Sequence, residues 1–393
     1  MHYDFDTIVP RRGTGSAKWD SSSDPASLPM WIADMDFRTA PPILEALQRR
    51  VEHGIFGYEK VPDAYFEALD SWFARRHGFS IEREWGIPTP GIVPAISAIL
   101  KALTQPGDRV LVNTPIYNCF FSSIRNMGCT ALEAELRCRS GRYEIDFEDL
   151  ERKAREPDVH VMLLCNPHNP VGRSWTAEEL TRLGDICLAN GVTVVSDEIH
   201  CDLTFPEQRH QPFATLKPEF LTHSVTCVAP TKTFNIAGLQ ISNIVCADAK
   251  MRSAIDRAVN IHEICDVNPF GVEALIAAYT DERSERWLDE LRGYLYANYL
   301  ALSDFLESEM PELHLTRSEA TYLAWIDCRT LGLSSDQLHE QLARQGRVLI
   351  NKGSLYGKGG DGFIRLNMAC PRAQLREGLH RLKAGLMPAD ALT

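Results

Sequence analysis

Short apolar runs alternate with longer amphipathic stretches through the middle of the chain. The runs at 109–113, 160–165 and 192–196 are β-branched and aliphatic, which is typical of parallel strands covered on both faces. Two more apolar runs follow at 224–228 and 243–246. This alternation of strand-like and helix-like segments predicts a wound α/β domain with a mostly parallel central sheet covered by helices.

Two helix starts can be read directly from the residues that precede the apolar pattern. Thr176 and Glu179 have the spacing of a capping box, and the pattern that follows continues to Asn190, before Gly191. A second helix is expected to open in the segment Thr89–Val93 and to continue to about Leu103.

The pattern changes after residue 285, where a smaller α+β unit is expected. A long amphipathic helix is predicted from Trp287 to Met310, and a shorter one near Asp336 to Gln345. The remaining predicted elements are strands at 322–327, 348–350 and 363–366 and a last helix after Pro371. We therefore predict a large domain at 46–284 and a small domain formed by 1–45 and 285–393.

Composition and charge narrow the class of protein. Hydrophobic residues make up 44% and charged residues 24%, and the net charge is −12, which argues against nucleic acid or an anionic membrane as the main partner. No run approaches the roughly 18 apolar residues of a membrane-spanning helix, and the first residues lack the features of a signal peptide. The 11 cysteines show no C-x-x-C pair, which favours reduced thiols in a cytoplasmic protein.

Three polar residues stand just after predicted strands. Asn169 lies in the segment Asn166–Gly172 that follows the strand ending at Cys165, and Asp197 follows the run ending at Val195. Lys232 comes shortly after the run ending at Val228. In open α/β sheets ligands bind at the carboxyl ends of strands, so these side chains are expected to meet.

A lysine, an acid and an asparagine in this arrangement point to pyridoxal 5′-phosphate. The amine of Lys232 can form a Schiff base with the cofactor aldehyde and later act as a base. The carboxylate of Asp197 can keep the pyridine nitrogen protonated. The amide of Asn169 can donate to the ring oxygen without titrating.

Other residues offer complementary groups. The backbone N–H groups of Gly91 and Ile92, at a helix start, suit a phosphate. Tyr117 follows another strand end and can stack on the ring, and Arg365 presents a bidentate fork to an amino-acid carboxylate.

Taken singly, each of these residues has an ordinary explanation. An isolated lysine is most often a solvated surface charge, Asn-Pro pairs are usually turns, and a lone tyrosine is more often part of the core. The order of the three residues and their common place at strand ends favour the cofactor site. A metal cluster of Asp197, Glu198, His200 and Asp202 is not expected, because neighbouring side chains on a strand point to opposite faces.

Several motifs resemble those of fold-type I pyridoxal phosphate enzymes of the class I/II aminotransferase superfamily, and the resemblance spans essentially the whole chain. Within that superfamily, the chain is similar to cystathionine β-lyases of the MalY/PatB type. The motifs are Trp31–Phe37, Ala40–Pro42, Phe56–Tyr58, Ser196–His200, Lys232–Asn235, Phe363–Asn367 and Cys370–Arg372.

The resemblance implies a role for each matching residue at the cofactor. Lys232 would be the Schiff-base lysine and Asp197 the partner of the pyridine nitrogen. Asn169 would contact the ring hydroxyl, with His200 near it, and Tyr117 would stack on the ring. The phosphate would be held by the backbone of Gly91 and Ile92, and in part by Thr231.

The resemblance also implies a substrate site shared between two subunits. Arg365 would bind the substrate α-carboxylate, with Asn169 and the Ala33 backbone close by. Tyr58 would reach across a homodimer interface into the neighbouring site. Tyr58 or Tyr117 would assist catalysis by moving protons or positioning the substrate, and the choice between them stays open.

Three departures from the family pattern affect these expectations. Ala229 replaces a hydroxyl found in many relatives, and no arginine follows Lys232 within ten residues. The phosphate should therefore depend more on the helix start and on hydroxyl groups. The loop Asn351–Tyr356 also differs, and it is expected to border the substrate.

The expected activity is α,β-elimination of L-cystathionine, or of a related cysteine S-conjugate, to a thiol such as homocysteine, pyruvate and ammonia. Two alternatives remain at this point. One is an aminotransferase on the same scaffold, and the other is a lyase with an added regulatory role in binding a partner protein.

Overall fold

A computed structural model describes residues 3–58, 60–261 and 266–387. Its α-helices are α1 (Pro41–His53), α2 (Asp63–His77), α3 (Ile92–Leu103), α4 (Asn118–Asn126), α5 (Phe147–Ala154), α6 (Ala177–Ala189), α7 (Pro218–Thr222), α8 (Ala249–Asn260), α9 (Pro269–Thr280), α10 (Glu282–Glu309), α11 (Ser335–Gln341) and α12 (Arg372–Leu386).

The strands are β1 (Leu28–Pro29), β2 (Gly86–Thr89), β3 (Arg109–Thr114), β4 (Thr130–Glu135), β5 (Arg137–Arg139), β6 (Arg142–Glu144), β7 (Val159–Cys165), β8 (Thr193–Asp197), β9 (Ser224–Val228), β10 (Ser242–Val245), β11 (His314–Leu315), β12 (Leu323–Asp327), β13 (Val348–Leu349), β14 (Asn351–Lys352) and β15 (Phe363–Asn367).

A seven-stranded sheet in the order β2-β10-β9-β8-β7-β3-β4 forms the centre of the molecule. The pairs among β4, β3, β7, β8 and β9 are parallel, whereas β10 runs antiparallel to both of its neighbours. Nearly every residue of β7, β8 and β9 is buried, as expected for strands with helices on both faces. The predicted fold, a mostly parallel sheet covered by helices, is confirmed.

A smaller sheet in the order β11-β12-β15-β14 lies in the C-terminal part of the chain. The N-terminal strand β1 pairs in parallel with β13, which places Leu28 opposite Val348. The start of the chain is therefore joined to its C-terminal part, as the two-segment small domain requires. The boundaries at residues 46 and 285 stay a prediction.

Helix ends show where sequence patterns place a boundary well and where they do not. The capping box of α6 is confirmed: Thr176 Oγ1 accepts from Glu179 N at 3.2 Å, and Thr176 N donates to Glu179 Oε2 at 2.9 Å. The predicted start of α10 at Trp287 is wrong, because the helix begins at Glu282, after the side chain of Asp281 caps Arg283 N at 2.8 Å. Trp287 marks where α10 becomes buried in the apolar core.

The carboxyl ends of β7, β8 and β9 lie together at one edge of the central sheet. The prediction that Asp197 follows the strand is wrong, because Asp197 is the last residue of β8. Helix α3 starts at Ile92, and only Pro90 and Gly91 separate it from the end of β2 at Thr89. Among the residues that the structure covers, no helix combines the length and the apolar character needed to cross a membrane.

Candidate active site

A cavity of about 520 Å³ opens at this edge of the sheet. All but one of the predicted site residues line it: Ala33, Gly91, Ile92, Tyr117, Asn169, Asp197, His200, Thr231, Lys232 and Arg365. The exception is Tyr58, whose side chain is fully exposed on this single chain. Asn351 and Leu355, from the loop expected to border the substrate, also line the cavity.

Lys232 lies on a tight turn after β9 and is half-buried in the cavity wall. Its Nζ donates to the carbonyl oxygen of Ala33 at 2.5 Å. Burial, reinforced by the nearby positive charge of Arg365, lowers the pKa of Lys232 to about 8. A lysine with this pKa carries a substantial neutral fraction near pH 8, which is the form that can act as a nucleophile or a base.

Another lysine, the fully buried Lys18, shows what a structural lysine looks like in the same molecule. Its Nζ lies 2.8 Å from Asp36 Oδ2 and forms a buried ion pair. Within the part of the chain that the structure describes, Lys232 has no such ion pair with a carboxylate. The contrast distinguishes a lysine that balances a charge from one that is left free to react.

Asp197 is a buried carboxylate at the end of β8. Its Oδ1 accepts from the backbone N–H of Ile199 at 3.2 Å. Burial is the main cause that raises the pKa of Asp197 to about 7, and the negative charge of neighbouring Glu198 adds to it. A cation placed beside Asp197 would restore its ionised form, so this carboxylate suits a protonated ring nitrogen.

Asn169 and His200 offer neutral polar groups to the same cavity. Asn169 Oδ1 accepts from Arg365 Nη1 at 3.2 Å, so the amide NH₂ is the donor that Asn169 can offer to another oxygen. Burial, with the positive charges of Lys232 and Arg365, lowers the pKa of His200 to about 3 and keeps its imidazole neutral. Its Nδ1 is buried and has no hydrogen-bond partner among the described residues.

Arg365 is a buried guanidinium whose hydrogen bonds within the described residues go to neutral oxygens. Besides Asn169, its Nη2 donates to the carbonyl oxygen of Trp31 at 2.9 Å, and its guanidinium carbon lies 5.2 Å from the centre of the Tyr356 ring. Arg365 makes no ion pair with a carboxylate in the described ranges, and its Nε has no partner there. A buried charge without a counter-ion is costly, so this position favours an anionic ligand.

The start of α3 offers backbone donors to the cavity. Gly91 precedes the helix with a φ of +141°, which a residue with a side chain rarely adopts, and no side chain caps the N–H groups that follow. Pro94 has no N–H, and the N–H of Ala95 donates to the carbonyl oxygen of Gly91 at 3.0 Å, so the free donors at this helix start belong to Gly91, Ile92 and Val93. With the buried Thr231 nearby in the cavity wall, these groups suit an anion such as phosphate.

Two asparagines that sequence reasoning did not single out hold the N-terminal segment against the cavity. Asn235 Oδ1 accepts from Met35 N at 2.9 Å, and its Nδ2 donates to the carbonyl oxygens of Met35 and Phe37 at 3.0 and 2.8 Å. Asn367 Nδ2 donates to the carbonyl oxygens of Ile32 and Asp34, each at 2.6 Å. These bonds place the Trp31 and Ala33 carbonyl oxygens beside Arg365 and Lys232.

The two acids of the Asp34-Met35-Asp36 motif have a structural role. Arg11 binds Asp34 and Asp36, each at 2.7 Å, and Lys18 binds Asp36 at 2.8 Å. Burial tends to raise the pKa of Asp36, but its bonds to Lys18 and Arg11 hold it below the usual range. Neither acid lines the cavity, so the motif marks how the N-terminal segment is anchored.

Comparison with known proteins agrees with this geometry. The sequence profile of the family described as aminotransferase class I and II matches residues 31–382. The chain is 44% identical to cystathionine beta-lyase PatB of Bacillus subtilis (strain 168) over 386 residues, which cover 97% of this chain and 99% of that protein. It is 34% identical to protein MalY of Escherichia coli (strain K12), with 98% of each chain covered.

Solved structures give the same result. Cystalysin from Treponema denticola, which contains a pyridoxal 5′-phosphate cofactor, superposes with a TM-score of 0.95 at 33% identity, covering 98% of this chain and 99% of that chain. The pyridoxal phosphate-bound C-S lyase from Staphylococcus hominis superposes with a TM-score of 0.92 at 34% identity and the same coverage.

Proposed function

This chain belongs to the aminotransferase class I and II family, and we propose that it is a pyridoxal 5′-phosphate-dependent carbon–sulfur β-lyase acting on L-cystathionine or a related cysteine S-conjugate. The observation that carries this proposal is the joint presence of Lys232, Asp197 and Arg365 in one cavity. It occurs in a chain that matches a cystathionine β-lyase over 97% of its length.

The residues of the cavity fit the cofactor chemically. When bound, pyridoxal phosphate withdraws electrons from the α-carbon of an amino acid attached to it. Asp197 would hold the ring nitrogen, since a cation is what this buried carboxylate needs to ionise. Asn169, with His200 near it, is assigned to the ring oxygen, and Tyr117 to the ring face. Gly91 and Ile92, with Thr231, are assigned to the phosphate.

Lys232 has two tasks in this proposal. The Lys232 amine would hold the aldehyde of the bound cofactor, and once freed by the substrate amine it would take the α-proton of the substrate. Its pKa of about 8 suits a base that works near neutral pH. The carbonyl oxygen of Ala33 gives the free amine a fixed acceptor, which keeps it directed within the cavity.

Arg365 binds the α-carboxylate of the substrate. Its guanidinium is buried and already oriented by Asn169 and the Trp31 carbonyl oxygen. A carboxylate supplies the anion that this cation lacks among the described residues, with a bidentate geometry.

Loss of the α-proton is followed by cleavage of the β-carbon–sulfur bond, in which the thiolate leaves with the bonding electrons. The remaining three-carbon unit is hydrolysed by water to pyruvate and ammonia.

We further propose a homodimer with shared sites, in which Tyr58 reaches the partner's cavity. Tyr58 is fully exposed on the single chain, and the neighbouring Ile55 and Phe56 are 66% and 53% exposed. A cluster of exposed large apolar side chains favours a protein interface.

We also propose the cytoplasmic location expected from the sequence. All ten cysteines in the described ranges are free and eight of them are buried, which is typical of a protein from a reducing compartment.

The proposal is tested by assaying pyruvate from L-cystathionine beside amino transfer to a 2-oxo acid. The lyase should release pyruvate and homocysteine in equal amounts when no 2-oxo acid has been added as an amino acceptor. Amino transfer that depends on a 2-oxo acid, with no pyruvate from L-cystathionine or S-alkyl cysteines, would contradict the lyase and favour the aminotransferase. Lys232→Ala serves as the matched inactive control.

A further inference from the structure

A buried carboxylate, Asp202, lies behind the turn that carries Lys232 and does not line the cavity. Its Oδ1 is 2.8 Å from His77 Nε2, and Trp72 Nε1 donates to both of its oxygens at 3.2 and 3.3 Å. Its Oδ2 accepts from the hydroxyl of Thr233 at 3.0 Å. Helix α2 and the residue next to Lys232 are thus connected through a single carboxylate.

The turn itself is short and closed by its own backbone. Phe234 N donates to the carbonyl oxygen of Pro230 at 2.9 Å, and Ile236 N donates to that of Thr231 at 3.0 Å. Phe234 packs against Trp72 with ring centres 5.8 Å apart. Trp72 therefore contacts both Phe234 and Asp202. In the proposed reaction the Lys232 amine would first hold the cofactor and then take the α-proton of the substrate. The position of the amine in both roles depends on the backbone of this turn.

We propose that Asp202 is a positioning residue for Lys232 and that it acts through the hydroxyl of Thr233. The inference rests on the proposed function, in which Lys232 holds the cofactor and then removes the α-proton. Thr233 is fully buried and follows Lys232 directly, so its bond to Asp202 fixes the backbone from which the lysine side chain extends. A misplacement of about 1 Å of a catalytic group can cost roughly a hundredfold in rate.

The same cluster could be imagined as a metal site, because His77, Cys201 and Asp202 offer ligand atoms within 4.8 Å of one another. Its hydrogen bonds favour positioning. Both oxygens of Asp202 already accept from protein donors. Burial also raises the pKa of the Cys201 thiol well above its usual value, which keeps it protonated and a poor ligand.

The test compares Thr233→Val, which keeps the shape and removes the hydroxyl, with Thr233→Ser, which keeps the hydroxyl. The matched control is Thr104→Val, at the far end of α3, where another buried threonine hydroxyl donates to a backbone carbonyl oxygen, that of Leu100, at 2.6 Å. The readouts for the cofactor-loaded enzyme are kcat and KM for L-cystathionine, the pH midpoint of the visible cofactor absorbance, and the thermal midpoint.

Thr233→Val is expected to lower kcat roughly ten- to a hundredfold with little change in KM and to shift the pH midpoint of the absorbance. Thr233→Ser should restore both, and Thr104→Val should lower only the thermal midpoint. If Thr233→Val lowers the thermal midpoint but leaves kcat and the absorbance midpoint at wild-type values, the positioning role is overturned. Should Thr233→Val not fold, Thr233→Cys, a weak donor of similar size, is judged by the same outcomes.

Failure of this inference is distinguishable from failure of the proposed function. A wild-type enzyme that shows no visible band dependent on Lys232 contradicts the proposed function itself. A wild-type enzyme that shows the band, with a Thr233→Val variant that matches it in kcat and absorbance midpoint, contradicts only the role of Asp202.

Discussion

A hydrogen bond of 2.5 Å joins the side-chain amine of Lys232 to the carbonyl oxygen of Ala33, 199 positions earlier in the chain. The hydroxyl of Tyr322 donates to the same oxygen at 3.0 Å. The acceptor for the lysine is therefore a backbone atom, held from a second side by a buried tyrosine. The geometry of Lys232 depends on the N-terminal segment as well as on the central sheet.

Asn235→Ala should weaken this arrangement. The side chain of Asn235 makes three hydrogen bonds to the backbone of the N-terminal segment, and its φ of +55° disfavours alanine. We expect a loss of about 2–4 kcal/mol in the free energy of unfolding, measured with urea, and a lower kcat. Asn235→Gly removes the same bonds without the backbone strain, so wild-type stability and kcat in that variant would contradict the anchoring role.

Asp197→Asn should make the cofactor-free protein more stable in a pH-dependent way. The folded carboxyl keeps its proton up to a pKa of about 7, whereas an unfolded aspartate releases it near 4. Between these values the folded state binds more protons than the unfolded state, so wild-type stability falls as the pH rises.

The asparagine variant lacks this dependence. Its advantage in the free energy of unfolding should grow from pH 4 to pH 7, reach about 4 kcal/mol and then level off. The same variant should bind pyridoxal phosphate more weakly, because its amide cannot balance a ring cation. A stability difference that does not change with pH would show that Asp197 titrates normally in the folded protein.

Arg365→Ala should raise KM and lower kcat/KM for L-cystathionine. A charge-assisted hydrogen bond is worth about 1.5–3 kcal/mol, which corresponds to a loss of roughly ten- to a hundredfold. The control is a substrate analogue that lacks the α-carboxylate, on which the variant should lose much less than on L-cystathionine, because only the smaller effect of the Arg365 charge on the pKa of Lys232 remains. If the variant loses as much on that analogue as on L-cystathionine, Arg365 does not act by binding the carboxylate.

The strands and the residues at their ends could be predicted because both depend on local patterns. Apolar runs give β7, β8 and β9 within one or two residues, and the parallel order then brings Asn169, Asp197 and Lys232 to one edge. The roles of Asn235 and Asn367 could not be predicted in the same way. Each binds backbone atoms about 200 to 340 positions away, and backbone acceptors leave no trace in a sequence.

The acids of Asp34-Met35-Asp36 could be recognised as a motif from the sequence, but their structural role could not be predicted from it. The motif identified the family, yet its carboxylates are bound by Arg11 and Lys18 and take no part in the cavity wall. A pattern of residues can mark a site through the segment that it anchors. Only the packing shows that the Ala33 carbonyl oxygen, between the motif and the cavity, makes the contact with Lys232.

Mixing two inactive variants should restore activity if Tyr58 acts across the dimer. Tyr58→Phe and Lys232→Ala are each expected to be impaired in homodimers. A mixed dimer has one site with Lys232 from one chain and Tyr58 from the other. Co-refolded equal amounts should therefore reach about a quarter of wild-type activity, because about half of the dimers are mixed and each has one intact site. No recovery, with mixed dimers verified by mass, would place Tyr58 and Lys232 in sites within one chain.

The role of Lys232 is open to a direct chemical test, in which the enzyme loaded with pyridoxal phosphate is reduced with borohydride, digested and mapped by mass spectrometry. Lys232 is half-buried in the cavity wall, whereas Lys18 is buried and paired with Asp36 at 2.8 Å. The pyridoxyl group should be found on the peptide that contains Lys232, and the Lys232→Ala variant should carry none. Stoichiometric labelling of Lys18 or of any other lysine, with Lys232 unmodified, would contradict the assignment of the site.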